Sequence, residues 1–76
     1  MKILLVEDDA SLAAGLKSAL GREGFIANHV SCGKDALTAA KADRPDIIVL
    51  DLVLPDMDGL EVLARLQNQD KPVPVL

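Results

Sequence analysis

In the first part of the chain, short apolar runs alternate with segments in which apolar residues recur at helical spacing. Residues 3–6 form an apolar run that stops at three acidic residues, a pattern typical of a strand buried on both faces. From Ala10 to Arg22, leucine and alanine return at helical spacing, and Gly21 and Gly24 mark the end, which predicts an amphipathic helix. Residues 25–30 predict a second strand, and Ser31 after it is a good N-cap for a second helix.

The same alternation continues in the second part of the chain. The second helix is predicted to stop before Pro45, because proline cannot continue a helix. The β-branched run at residues 47–50 predicts a third strand, which ends at Asp51. Asp58 and Glu61, three residues apart, predict a capping box for a third helix. The helical leucines that we assign to the core are Leu12, Leu16, Leu20, Leu37, Leu60, Leu63 and Leu66.

Strands that alternate with helices in this way imply a parallel sheet with helices on its faces. The connections are right-handed βαβ crossovers, and residues 73–76 predict the start of a fourth strand. In such sheets, ligand sites lie beyond the carboxyl ends of the strands. Acidic residues 7–9 and Asp51 follow the first and third strands, so they converge if these strands are neighbours.

Converging carboxylates favour a hard cation, because like charges held close together resist joint ionisation. Magnesium fits such a cluster, since Mg2+ takes one or two carboxylates and keeps water molecules that a phosphate oxygen can replace. A neighbouring aspartate could then attack phosphorus as a nucleophile. The simpler alternative is that these acids are solvated loop residues, which are common in proteins.

Composition narrows the classes of function. Eight basic and twelve acidic residues give a formal charge of −4, and Phe25 is the only aromatic residue, so direct nucleic-acid binding is disfavoured. Cys32 is the only cysteine, which excludes an intrachain disulfide and favours a reducing, cytoplasmic location. The longest apolar runs have four residues, far fewer than the roughly 20 of a membrane span. We therefore expect no membrane association.

Three segments together resemble the response-regulator receiver domain of bacterial two-component signalling. They are residues 3–9 with their acidic end, residues 31–37, and residues 46–59 around Asp51, in the order and spacing of that family. The resemblance implies a flavodoxin-like α/β fold, a doubly wound parallel sheet that is incomplete here, with about four of five strands and three helices. Residues 1–76 are thus expected to be a partial receiver domain that lacks the family's fourth helix, fifth strand and fifth helix.

The resemblance also implies roles for individual residues. Asp51 matches the aspartate that accepts the phosphoryl group, and Glu7 and Asp8 match the acidic pair that holds Mg2+. Asp8 would bind the ion directly, Glu7 would act through water, and the backbone carbonyl of Val53 would supply a further ligand. Asp9 lies just past the pair, and we predict that it caps the first helix.

Partners follow from the same resemblance. A receiver takes its phosphoryl group from a sensor histidine kinase and switches an output, so we expect a signalling module and not an enzyme. The start at Met1 and the acidic triplet at residues 7–9 are similar to those of receivers that precede a winged-helix DNA-binding domain, which suggests transcriptional output. DNA would then be bound only through a domain absent from these residues. The unfinished fourth strand leaves an open edge, so self-association is also expected.

Two other functions stay open at this point. One is a docking module that works without phosphorylation, and the other is a magnesium-dependent phosphatase with an aspartyl-phosphate intermediate. The phosphatases have a second aspartate where this chain has Val53, which argues against a phosphatase. We predict that His29 is an ordinary surface residue, that Cys32 is an inert thiol, and that Met57 packs within its loop.

Overall fold

Three strands and three helices alternate along the chain. The computed structural model describes residues 1–69 and 72–76. The elements are β1 (Lys2–Val6), α1 (Ala10–Arg22), β2 (Ile26–Val30), α2 (Gly33–Asp43), β3 (Ile47–Leu50) and α3 (Gly59–Gln67). The strands are parallel and lie in the order β2-β1-β3, so the first strand of the chain is the central one. The predicted alternation and the parallel sheet are confirmed.

The predicted fourth strand is present as a single pairing on the outer side of β3. Val75 forms a parallel bridge with Ile48, and the N–H of Leu76 donates to the carbonyl of Ile48 at 2.8 Å. The adjoining residues 70 and 71 lie outside the described residues. The sheet therefore continues past β3 on the side away from β1.

The two faces of the sheet are covered differently. Alternate residues of β1 point to opposite faces, and Leu4 and Val6 lie with α2 and α3 in one buried cluster. Leu5 points the other way and lines a groove against α1. This arrangement buries β1 from Ile3 to Val6, as predicted. Within the part of the chain that the structure describes, the buried residues of the α2/α3 cluster are Leu4, Val6, Ala36, Ala40, Ile48, Val62 and Leu66.

Burial of the helical leucines and of β3 is less complete than the sequence predicts. Leu12 and Leu16 of α1 are 50% and 38% exposed, and Leu60 of α3 is 58% exposed. Helix α1 instead buries the small residue Ala13. In β3 only Ile48 is fully buried. The assignment of Leu12, Leu16 and Leu60 to the core was wrong because helical periodicity locates an apolar stripe but does not show how much of it is covered.

Two of the three helix starts follow the sequence prediction. The Asp9 carboxylate accepts a hydrogen bond from the Leu12 N–H at 3.0 Å, which confirms Asp9 as the N-cap of α1. The Asp58 carboxylate likewise accepts from the Leu60 N–H at 2.9 Å and caps α3. The Glu61 carboxylate, however, pairs with Arg65 at 2.9 Å. The reciprocal half of the predicted capping box is therefore not formed.

The second helix begins one residue later than predicted. Its N-cap is Cys32 and not Ser31, and Cys32 provides no side-chain cap. A carboxylate from a distant loop, that of Asp56, satisfies the first N–H groups instead. At the other end, Arg44 adopts a left-handed conformation with φ +47° before Pro45, so α2 stops where proline was predicted to end it.

Within the described residues, no helix is long and apolar enough to cross a membrane.

Candidate functional site

Three acidic side chains gather at the carboxyl edge of the sheet. Glu7 and Asp8 follow β1, and Asp51 follows β3. Each offers a carboxylate oxygen, and these oxygens lie within 4.8 Å of one another. The pairing of β1 with β3 produces this proximity, since Val6 is in register with Leu50 and the Asp51 N–H donates to the Val6 carbonyl at 3.0 Å. The predicted convergence of strand ends is confirmed.

Hydrogen bonds to β2 and α1 hold the acidic pair at the end of β1. The Glu7 N–H donates to the Val30 carbonyl at 3.1 Å, and the Glu7 carbonyl lies 2.7 Å from Nε2 of His29. Because a carbonyl oxygen only accepts, His29 is the donor and its Nε2 carries the proton. The Glu7 carboxylate also accepts from the Asp9 N–H at 3.1 Å. Asp9 itself is occupied in capping α1 and lies outside the cluster.

His29 is therefore not the ordinary surface residue that the sequence predicts. Its side chain is half-buried and bonded to the segment that carries the acidic pair. The partners are 22 residues apart, and their contact depends on the register of β1 with β2. Nothing in the local sequence around His29 marks this bond.

A tight loop holds the acid at the end of β3. Oδ1 of Asp51 accepts from the Val53 N–H at 3.1 Å, and the Gly59 N–H donates to the Leu52 carbonyl at 3.1 Å. A Cβ at position 59 would collide with the backbone of Leu52, so the closure of this loop requires glycine. Val53 is 75% exposed. That its carbonyl binds a metal ion stays a prediction.

Asp56 fastens the same loop to α2. Its carboxylate accepts from the N–H groups of Gly33 at 2.7 Å and Lys34 at 3.0 Å. These two bonds, first Lys34 and then Gly33, lower the pKa of Asp56 below its ordinary value of 3.8. Beside them, Met57 packs against Gly33 and the buried cluster, so it is a packing residue as predicted, but its contacts lie outside its own loop. The sequence does not reveal the role of Asp56, because the residues that it caps lie 22 and 23 positions earlier in the chain.

The electrostatics of the cluster show the effect of crowded like charges. The hydrogen bond from the Asp9 N–H lowers the pKa of Glu7. Partial desolvation, the charge of Asp51, and hydrogen bonding to Asp51 and Asp8 act in the opposite direction and outweigh it. The net effect raises the pKa of Glu7 above its ordinary value of 4.5. The site is thus short of positive charge.

This set of donors fits a hard divalent cation. Three carboxylates, of which that of Asp8 is exposed and that of Asp51 half-buried, suit Mg2+, which prefers oxygen ligands and retains some of its water. A cation there would also relieve the repulsion among the acids.

Comparison with known proteins gives an independent result. Residues 3–76 match the family model described as the response regulator receiver domain. The chain is 41% identical over 75 residues to the alkaline phosphatase synthesis transcriptional regulatory protein PhoP of Bacillus subtilis, covering 99% of the chain and 31% of PhoP. It is 45% identical over 75 residues to the DNA-binding response regulator MtrA of Mycobacterium tuberculosis, covering 99% of the chain and 32% of MtrA.

Among solved structures, the signal receiver domain of a LuxO repressor protein from Vibrio parahaemolyticus superposes with a TM-score of 0.91 at 40% identity. The match covers 97% of this chain and 57% of that one. The flavodoxin-like fold is thereby confirmed for the described residues. The chain spans about a third of the length of the curated relatives it matches.

Proposed function

Because the chain belongs to the response regulator receiver domain family, we propose that Asp51 accepts a phosphoryl group in a reaction that depends on Mg2+. The observation that supports this most is the convergence of the Glu7, Asp8 and Asp51 carboxylates within 4.8 Å at the carboxyl edge of the sheet. A cluster of this kind combines a nucleophile with ligands for the cation that phosphoryl transfer requires.

Asp51 acts as the nucleophile in this proposal. One of its carboxylate oxygens attacks phosphorus, the bond from phosphorus to the donor's histidine nitrogen breaks, and that nitrogen keeps the electron pair. The product is an acyl phosphate on Asp51. The Val53 N–H engages Oδ1 at 3.1 Å, so we assign the attack to Oδ2. This hydrogen bond also restrains the carboxylate, which keeps the attacking oxygen on one side of the loop.

The acidic pair holds the cation beside the nucleophile. We assign direct coordination to Asp8, coordination through water to Glu7, and further ligands to Asp51 and the Val53 carbonyl. Bound Mg2+ would neutralise negative charge on the transferred group. Without that charge, the three carboxylates would repel an incoming phosphoryl group, so the acidic pair serves the reaction only through the cation that it binds.

The wider signalling role is also part of the proposal. We infer that a sensor histidine kinase supplies the phosphoryl group and that the natural protein regulates transcription in the cytoplasm through a separate DNA-binding domain. Its relatives PhoP and MtrA are named as a transcriptional regulatory protein and a DNA-binding response regulator. With a formal charge of −4, the receiver residues themselves are poorly suited to contact DNA. We propose that they form part of a receiver domain.

The acceptor can be tested by chemical phosphorylation of the full-length protein. We expect acetyl phosphate with Mg2+ to add one phosphoryl group to the wild type, labile to hydroxylamine as an acyl phosphate is, and to leave Asp51→Asn unlabelled. Asp35→Asn is the matched control, because it removes an exposed carboxylate outside the cluster. Intact mass measures the labelling. Equal labelling of wild type and Asp51→Asn would refute the assignment.

The metal ligands can be tested by titration with Mg2+. Asp8→Asn and Asp9→Asn each remove one negative charge, so long-range electrostatics are matched between them. We expect the larger loss of affinity in Asp8→Asn, because Asp8 lies in the cluster while Asp9 caps α1, a role that asparagine can also fill. Calorimetry or NMR titration measures the difference. A larger loss in Asp9→Asn would show that the ligand is assigned to the wrong acid.

A further inference from the structure

We propose that His29 is a positioning residue for the Mg2+ site, acting through its hydrogen bond to the Glu7 carbonyl. This inference rests on the proposed function. Nε2 of His29 lies 2.7 Å from the Glu7 oxygen, and the ring is half-buried at the end of β2. His29 contacts neither the cation nor the phosphoryl group in this proposal. It fixes the backbone from which the metal ligands project.

The ring replaces a backbone donor that the sheet does not supply. Val6 and Val30 form the last register pair of β1 with β2, and the Glu7 N–H still donates to the Val30 carbonyl. A continued parallel ladder would next bring an N–H from β2 to the Glu7 carbonyl. Strand β2 ends at Val30, however, and Cys32 already begins α2. The imidazole of His29 satisfies the carbonyl that the ladder leaves without a partner.

Fixing this carbonyl also fixes Asp8. The Glu7 carbonyl and the Asp8 N–H belong to one planar peptide unit, so a bond that orients the first orients the second. On the other side, Asp9 is anchored by its bonds to α1 and to the Glu7 carboxylate. Asp8 is exposed and therefore gains little orientation from packing. Its direction depends on the two anchored neighbours, and His29 supplies one of those anchors.

Substitution of His29 in the full-length protein tests this role. His29→Phe keeps a flat ring and removes the donor, whereas His29→Gln places an amide N–H the same number of bonds from the backbone. We expect His29→Phe to weaken Mg2+ binding about 10-fold, the lower end of the range for residues that orient metal ligands, and His29→Gln to recover part of that loss. Asn28→Ala controls for substitution in β2, since Asn28 is exposed on the other face, and should bind as wild type does.

Calorimetric titration with MgCl2, with Asp8→Asn measured alongside, separates the possible failures. Equal Mg2+ affinity in wild type and Asp8→Asn would contradict the proposed metal site itself. A clear loss in Asp8→Asn with wild-type affinity in His29→Phe would overturn only the role of His29. Failure of His29→Gln to recover any affinity lost by His29→Phe would also overturn it, because the loss would then come from the different size of the phenyl ring and not from the missing donor.

A measurement on the wild type keeps the proposal testable if His29→Phe does not fold. In 1H–15N NMR of the histidine ring, we expect a proton on Nε2 that exchanges slowly with water and a coupling through the hydrogen bond to the Glu7 carbonyl. A ring protonated only at Nδ1, or an Nε2 proton in fast exchange with water, would refute the hydrogen bond and with it the proposal.

Discussion

The two faces of the sheet hold the two halves of the site by different means. On the α2/α3 face, Ile48 and its neighbours form a closed cluster, and Met57 from the loop after Asp51 packs onto it. On the α1 face, leucines stay exposed beside an apolar groove of about 310 Å³. The acidic pair, Glu7 and Asp8, lies in the connection from β1 to α1 on this less tightly packed side and is held by hydrogen bonds. The loop of the acceptor is thus held by packing as well as by hydrogen bonds, whereas the acidic pair is held by hydrogen bonds.

The largest effect is expected from a cavity in the closed face. Ile48 is fully buried in the α2/α3 cluster, so Ile48→Ala should lower the free energy of unfolding by about 3 kcal/mol, within the range for buried aliphatic residues. Leu16→Ala on the α1 face should cost less than about 1 kcal/mol, because Leu16 already contacts solvent. Urea unfolding of both variants in the full-length protein measures the contrast. Equal losses would mean that the two faces are equally packed.

Two glycine substitutions should change the stability of the protein in opposite directions. At Gly33 a methyl group would collide with Met57 and Val62, so Gly33→Ala should destabilise the protein by about 2 kcal/mol through overpacking. A methyl group at Gly15, within α1, would meet no atom outside its helix among the described residues. Gly15→Ala should therefore stabilise by about 0.5 kcal/mol through helix propensity. Thermal unfolding decides the signs, and a stabilising Gly33→Ala would show that the loop does not pack tightly on α2.

Substitutions of the two helix caps should have similar effects on stability but different effects on Mg2+ binding. Asp9→Ala and Asp58→Ala each remove the side chain that caps a helix, and each should cost about 1 kcal/mol of stability. Only Asp9→Ala should also weaken Mg2+ binding, because the loop that contains Asp58 is additionally held by packing. Denaturation and Mg2+ titration of both variants test this. Matched losses of Mg2+ affinity would contradict the division between packing and hydrogen bonding.

The smallest effect concerns pH and Asp56. Hydrogen bonds from Lys34 and Gly33 lower the pKa of Asp56 below 3.8 in the folded state, so the ionised carboxylate stabilises the fold. The full stabilisation is present at pH values above the pKa of Asp56 in the unfolded chain. It is lost as the pH falls through the lower pKa of Asp56 in the folded state. The difference in melting temperature between wild type and Asp56→Asn should therefore shrink as the solution is acidified below 3.8. A difference that is constant across this range would exclude a role for the charge.

Sequence reasoning succeeded where information is local and failed where it depends on register. The apolar runs located β1 and β3, and the acids after them predicted the cluster, because parallel strands end at one edge. The bond from His29 to Glu7 and the cap that Asp56 gives α2 join residues 22 or more positions apart. Such contacts appear only once strand register and loop path are known. The exposure of Leu12 was not predicted for a related reason, since periodicity does not show how much of a helix face other elements cover.

The central place of the first strand has a consequence for how the protein acquires its site during synthesis. Lys2 pairs with Ile26, and Ile3 pairs with Ile47. Because β1 precedes both of its partner strands in the chain, it is synthesised before either pairing can form. Closing the longer loop costs only slightly more entropy than closing the shorter one, because this cost grows with the logarithm of length. Docking β3 also brings Asp51 against Glu7 and Asp8, however, and so adds charge repulsion to the pairing of β1 with β3. A divalent cation would remove that repulsion and stabilise the docked state by mass action, which couples the docking of β3 to the chemistry of the site.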